Sequence, residues 1–223
     1  MKFSSFIKQG DTIGFVAPSF GCSIEPYRSA FDHSLEKWRE RGFQIKRGPN
    51  CYAQDGIGIS STPEKCAREF MEFYEGEDTK ALISCGGGEL MCEVISQIDF
   101  DRLMRAKPKW FMGYSDNTNI IFLLTTILDT AAIYGPNAAS FGMEPWHESI
   151  KDAYLLLTGE KTQVHNYSDW EKESWKDEEH PLEPYHVTEP FDMKMWPEQK
   201  EVSFHGRLVG GCLDCLSNLA GTK

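Results

Sequence analysis

Short apolar runs alternate with longer segments whose apolar positions recur at helical spacing. Thr12-Ile13-Gly14-Phe15-Val16-Ala17 is apolar almost throughout and stops at Pro18-Ser19-Phe20-Gly21. A run of that length with no polar face predicts a strand covered on both sides, as in a parallel sheet, followed by a loop. Ala30, Phe31, Leu35 and Trp38 then share one face of a helix predicted over Tyr27 to Arg41, with Gly42 as its natural stop. Phe43 to Lys46 alternates like a second strand, and the Gly-, Asp- and Ser-rich stretch from Pro49 to Ser61 reads as a loop. Thr62-Pro63-Glu64 starts a helix whose stripe is Ala67, Phe70, Met71 and Tyr74.

The alternation continues. Ala81-Leu82-Ile83-Ser84 predicts a strand entering Cys85-Gly86-Gly87-Gly88, with a helix over Glu89 to Gln97. Trp110 to Tyr114 predicts a strand that ends at Ser115-Asp116, before a helix over Asn117 to Thr126. Ala131 to Tyr134 predicts another strand, ending at Gly135-Pro136-Asn137. Strands alternating with helices predict an α/β fold, a doubly wound and mostly parallel sheet. Val202 to Leu208 has strand-like alternation, and Gly210-Gly211 opens a helix through Leu219. The expected organisation is an α/β domain over 1–160, an excursion over 161–201, and the start of a second domain over 202–223.

Charge sharpens that division. The chain of 223 residues carries a net charge of −11. The stretch from Asp169 to Glu201 holds eleven acids against four lysines, together with Trp170, Trp175 and Trp196. It reads as a loop or irregular β excursion whose tryptophans form either a wall for a substrate or a small satellite core. An acidic surface argues against nucleic acid and against a polybasic membrane patch. No apolar run is long enough for a spanning helix or a signal peptide, so a cytoplasmic protein is expected. Seven cysteines, an odd number, suit reduced thiols better than a disulfide framework.

In a parallel sheet, loops at the carboxyl ends of the strands share one edge, where ligands bind. Four of them carry unusual residues: Pro18-Ser19, Gly86-Gly87-Gly88, Gly113-Tyr114-Ser115-Asp116 and Gly135-Pro136-Asn137. Ser115 sits between a strand and a helix start, as a nucleophile on a sharp turn does, although the Gly-x-Ser-x-Gly pattern is absent. Ser115 or Asp116 could equally cap the helix. The glycines offer unshielded N–H groups for an oxyanion, but no phosphate-binding lysine or dinucleotide fingerprint accompanies them. Cys212-Leu213-Asp214-Cys215 has redox spacing without the expected context, and reads as two core-facing cysteines on one helix. His33, His147, His165, His180, His186 and His205 form no metal-binding pattern, so neither metal nor cofactor is expected.

Taken in order, five blocks resemble the LD-carboxypeptidase and microcin-immunity serine peptidases, family S66. They are Gly10 to Gly14 with Ala17-Pro18-Ser19; Ile83 to Gly87; Ile98-Asp99-Phe100 with Pro108 to Asp116; Tyr134-Gly135-Pro136 with Ser140-Phe141-Gly142; and Gly206 to Leu213. The resemblance implies a Rossmann-like fold, akin to the N-terminal domain of class I glutamine amidotransferases. It implies acyl transfer through Ser115, with the N–H groups of Asp116 and of Gly86 or Gly87 as the oxyanion hole. Ser19 and Asn137, which end neighbouring strands, are candidate substrate contacts. The implied substrate is a murein tetrapeptide or, in the immunity type, a peptidyl nucleotide, and the full-length protein is expected to be a homodimer. Cys85 stands where carboxypeptidase members often carry Arg, and the Trp-rich excursion resembles the immunity type. The family's triad Glu and His follow the Gly-Thr found here at Gly221-Thr222, so this chain alone is expected to be an incomplete enzyme, or a peptide-binding fragment.

Overall fold

A computed structural model describes residues 1–198 and 201–221; Gln199, Lys200, Thr222 and Lys223, and with them half of the Gly-Thr pair, lie outside the described residues. Strands β1 (Thr12–Val16), β2 (Gln44–Arg47), β3 (Ala81–Ser84), β4 (Trp110–Gly113) and β5 (Ile133–Tyr134) form one sheet in the order β2-β1-β3-β4-β5. Every pairing in it is parallel. The chain steps from β1 outward to β2, then returns to the other side of β1 for β3. The loops after β1 and β3 therefore diverge at a switch point and leave a crevice.

The apolar runs are continuous because both faces of the sheet are covered. Alternate positions along the strands go to opposite cores: Ile13, Phe15, Ile83 and Met112 to one, Val16, Leu82 and Phe111 to the other. The first core is closed by helices α1 (Tyr27–Glu40) and α6 (Glu148–Thr158), through Phe31, Leu35, Trp38, Ile150 and Leu157. The second is closed by α2 (Pro63–Glu75), α3 (Met91–Ile95), α4 (Phe100–Met104) and α5 (Thr118–Thr126), through Phe70, Val94, Leu103 and Ile120. Each fully buried aromatic or aliphatic side chain contributes roughly 1.5–3 kcal/mol. The helix expected over Glu89 to Gln97 is only the five residues of α3. The short α4, capped by the Asp99 carboxylate accepting from the Arg102 N–H at 2.8 Å, and the longer α6 were not expected.

The acidic excursion, read as loop or irregular β, is the second: β6 (Asp169–Glu171) pairs antiparallel with β7 (Val187–Pro190), with a register shift between Trp170 and Glu171. Its tryptophans do not build a satellite core, since Trp170, Trp175 and Trp196 are all exposed. Leu182 and Tyr185, between the two strands, are what pack on the main core, and the Leu182 carbonyl accepts from the Glu144 N–H at 2.9 Å. The strand expected over Val202 to Leu208 is also absent. Alternation alone does not make a strand; a strand needs a partner, and none pairs with this segment among the described residues. Helix α7 (Leu213–Leu219) does form and packs against α5, with the Cys212 N–H donating to Thr118 Oγ1 at 2.9 Å. No described helix is long and apolar enough to cross a membrane.

Candidate active site

Ser115 lies between β4 and α5 in the left-handed backbone region, at φ 61°. That conformation costs a non-glycine residue on the order of 1 kcal/mol or more and persists only where its surroundings enforce it. The surroundings are specific. The Ser115 N–H donates to Tyr134 Oη at 3.1 Å, and the Ser115 carbonyl accepts from Thr118 Oγ1 at 2.7 Å. Asn117 Nδ2 donates to the carbonyls of Gly86 (2.8 Å) and Tyr114 (3.1 Å) and to Asn137 Oδ1 (3.1 Å). Asn137 Oδ1 also accepts from the Tyr114 N–H at 3.1 Å. Three strand-end loops, after β3, β4 and β5, are thus tied together by two asparagines.

Neither Ser115 nor Asp116 caps α5 with its side chain. Asp116, only 4% exposed, turns inward as a brace. One carboxylate oxygen accepts from Ser19 Oγ at 2.5 Å and from the Met91 N–H at 2.9 Å; the other accepts from Asn119 Nδ2 at 2.9 Å. Ser19 is 0% exposed and serves this brace from behind, so the structure does not bring it to the cleft wall. Ser115 Oγ, by contrast, has no protein hydrogen-bond partner among the described residues, and Ser115 lines a cleft of about 550 Å³.

Gly87 closes on Ser115 from the β3 side. A Cβ at Gly87 would stand 3.0 Å from Ser115 Cβ and 3.1 Å from Oγ, so only glycine lets the turn come this near. Asn137 Nδ2 lies 3.9 Å from the same point and lines the cleft. The Gly86 and Gly87 carbonyls are engaged elsewhere, by Asn117 and by the Phe20 N–H. The structure therefore gathers Ser115, Gly86, Gly87 and Asn137 at one spot, with the Asp116 backbone next in the chain.

Sequence reasoning missed part of the cleft. Tyr114, Tyr185, Glu171, Lys176 and Glu183 line it, the last four from the hairpin. Burial pushes the Tyr185 phenol up to about 12, so it remains a proton donor through the neutral range. The signal for Tyr114 was its place beside Ser115; the hairpin residues had none, because their contacts depend on how the excursion folds back. The tryptophans expected as a wall do not line the cleft; Trp175 instead stacks on His186 with centroids 3.3 Å apart.

The two cysteines near the end are not core-facing. Both are half-buried and free, and Cys215 Sγ lies 3.6 Å from the Ser115 carbonyl oxygen. Burial, then the Cys212 thiol, raise the Cys215 thiol to about 12, which makes it a weak donor behind the elbow rather than a nucleophile. No histidine is hydrogen-bonded to Ser115 among the described residues.

The strand–turn–helix at Ser115 and the glycine turn both lie within a span that matches a family model. Residues 13–135 match the Peptidase S66 model, described as the LD-carboxypeptidase N-terminal domain. The chain belongs to the peptidase S66 family. Among S66-related sequences, it is 28% identical over 220 residues to a protein of Bacillus subtilis named "Probable murein peptide carboxypeptidase", covering 97% of this chain and 59% of that one. It is 26% identical over 223 residues to the microcin C7 self-immunity protein MccF of Escherichia coli, covering 96% and 62%. The chain spans between 59% and 66% of the length of the curated relatives it matches. The fold is that of an MccF-like protein from Bacillus anthracis, with a TM-score of 0.79 at 23% identity, over 100% of this chain and 65% of that one.

Proposed function

We propose that the protein is a serine hydrolase of short peptide-like substrates and that Ser115 is its nucleophile. The observation that carries this is the left-handed Ser115 at a strand–helix elbow, its hydroxyl without a protein partner and facing a cleft, with Gly87 pressed against it. In this reading Ser115 Oγ attacks the scissile carbonyl carbon, and the N–H groups of Asp116 and of Gly86 or Gly87 receive the developing oxyanion. Asn137 Nδ2 is a further donor toward the same region. Residues 1–160 carry this chemistry, and the hairpin within 161–201 roofs the cleft.

A neutral serine hydroxyl needs a proton acceptor. The described residues place none at Ser115, so we infer that these 223 residues alone bind substrate without turning it over. The first substrate to test is a murein tetrapeptide. A peptidyl nucleotide is the second, supported by relatives: solved MccF structures hold adenosine monophosphate and aspartyl sulfamoyl adenosine. Hydrolysis of both compounds should be followed in the whole gene product with and without Ser115→Ala. Loss of turnover by about a thousandfold or more is expected for the cleaved compound. Unchanged turnover removes Ser115 from the mechanism, and the compound cleaved decides between the two substrates.

A further inference from the structure

The cleft holds an ammonium group without a counter-ion. Of the lysines described in the excursion, Lys161 pairs with Asp152 at 2.6 Å, Lys172 is exposed, Lys194 lies 3.7 Å from Asp192, and Lys176 alone turns into the cleft that Ser115 lines. Of the acids around it in sequence, Asp177 and Glu171 are engaged by other groups. Asp177 Oδ1 accepts from the N–H groups of Glu179 (3.0 Å) and His180 (2.7 Å) and meets the His180 ring at 3.0 Å. Glu171 accepts from the His186 N–H at 2.9 Å. No carboxylate lies within ion-pair distance of the Lys176 amine among the described residues.

A partly desolvated cation with no partner is unfavourable, and burial draws the Lys176 amine below the usual lysine range. An arriving anion would relieve that cost. The chemistry of the anion follows from the other charges on the walls. Glu89, Glu171 and Glu183 line the same cleft. Three carboxylates repel a phosphate dianion more than a single carboxylate, and they attract amino groups.

We propose that Lys176 binds the free carboxylate of the substrate, and that the cleft receives a zwitterionic peptide end: carboxylate on Lys176, amino groups toward the glutamates. This rests on the hydrolase reading above and assigns its specificity to a residue outside the sheet-edge loops.

The test is calorimetric, on the whole gene product carrying Ser115→Ala so that ligands stay intact. A murein tetrapeptide, the same peptide as its C-terminal carboxamide, and adenosine monophosphate are titrated with Lys176, Lys176→Met and Lys176→Arg. With Lys176 or Arg, the carboxamide is expected to bind about tenfold or more weakly than the acid. With Met the two should bind alike, at the weaker affinity. Equal binding of acid and carboxamide when Lys176 is present overturns the proposal, as does discrimination that survives in Lys176→Met. A larger effect of Lys176→Met on adenosine monophosphate than on the tetrapeptide replaces the carboxylate by a phosphate and also overturns it. Cleavage of the tetrapeptide by the unsubstituted protein without carboxylate discrimination removes only the role of Lys176. If the tetrapeptide is neither bound nor cleaved, the role of Lys176 falls with the murein substrate; the hydrolase reading falls as well only if the peptidyl nucleotide is not cleaved either.

Discussion

At the scale of single residues, the site depends on a carboxylate that never meets the cleft. Asp116 joins the loop after β1, the start of α3 and the helix α5 through Ser19, Met91 and Asn119. Asp116→Ala leaves two buried donors, Ser19 Oγ and the Met91 N–H, without an acceptor, while Asn119 Nδ2 keeps the Asp116 carbonyl at 2.8 Å; it should lower the unfolding free energy by about 2–4 kcal/mol, read from urea denaturation. Ser19→Ala removes one of the three bonds and should cost about 1 kcal/mol. If the two variants were equally mild, the brace would be a surface feature and not a buried one. In the sequence, Ser115 was legible as a residue at a strand end, but its rivalry with a helix cap was not resolvable there. Only the backbone angle and the inward turn of Asp116 separate the two readings, and neither has a sequence signature. Ser19 shows the opposite case: its place at a strand end was legible, while the direction of its side chain was not.

At the scale of elements, one lysine joins a helix to a strand. Lys109, immediately before β4, donates to the Phe73 and Gly76 carbonyls at 2.6 Å and to Thr79 Oγ1 at 2.9 Å, closing the C-terminal end of α2. Burial, helped by Lys46 and Lys80, pulls its amine down to about 8 against the ordinary 10.5. The unfolded chain therefore holds this proton more tightly between about pH 8 and 10.5, and Lys109 adds stability as pH rises through that window. Below pH 8 the burial cost is constant. The three acceptors offset part of it, so the rise is on the order of 1–3 kcal/mol. Lys109→Met should lose this rise: its stability relative to the unsubstituted protein should fall by that amount between pH 7.5 and pH 10. A difference that does not change with pH would show that the amine titrates at its ordinary value. The core strands were legible as elements because burial on both faces makes them apolar throughout. Helix α4 was not, being a single capped turn, and Leu155-Leu156-Leu157 in α6 blurs the period that would have announced a helix.

At the scale of the whole molecule, apolar surface is distributed unevenly. Phe204 and Leu208 are 93% and 95% exposed, and Leu213 stands out from the adjacent α7. Exposed apolar side chains grouped in one segment favour association. Sedimentation velocity on this chain should show a concentration-dependent shift, and Phe204→Ser with Leu208→Ser should reduce it with less than about 0.5 kcal/mol change in stability. An unshifted, monomeric boundary in the unsubstituted chain would contradict this. The sheet order could be anticipated only as a class, since neighbouring loops are identified by pairing, which the apolar pattern does not encode. The hairpin over the cleft was hidden for a related reason. Its composition marked it as separate from the α/β body, while Leu182 and Tyr185, which dock it there, look like ordinary loop residues in the sequence.

The left-handed backbone at Ser115 sets stability against the proposed chemistry at one codon. Glycine adopts that conformation without steric penalty, and asparagine tolerates it better than serine does. A population of variants sorted by heat resistance alone would drift at position 115 toward these residues, neither of which can be acylated. Retention of serine there through rounds of stabilising selection would need a second sieve that scores turnover, and a consensus drawn from thermostability alone would erase the one hydroxyl on which the proposed reaction turns.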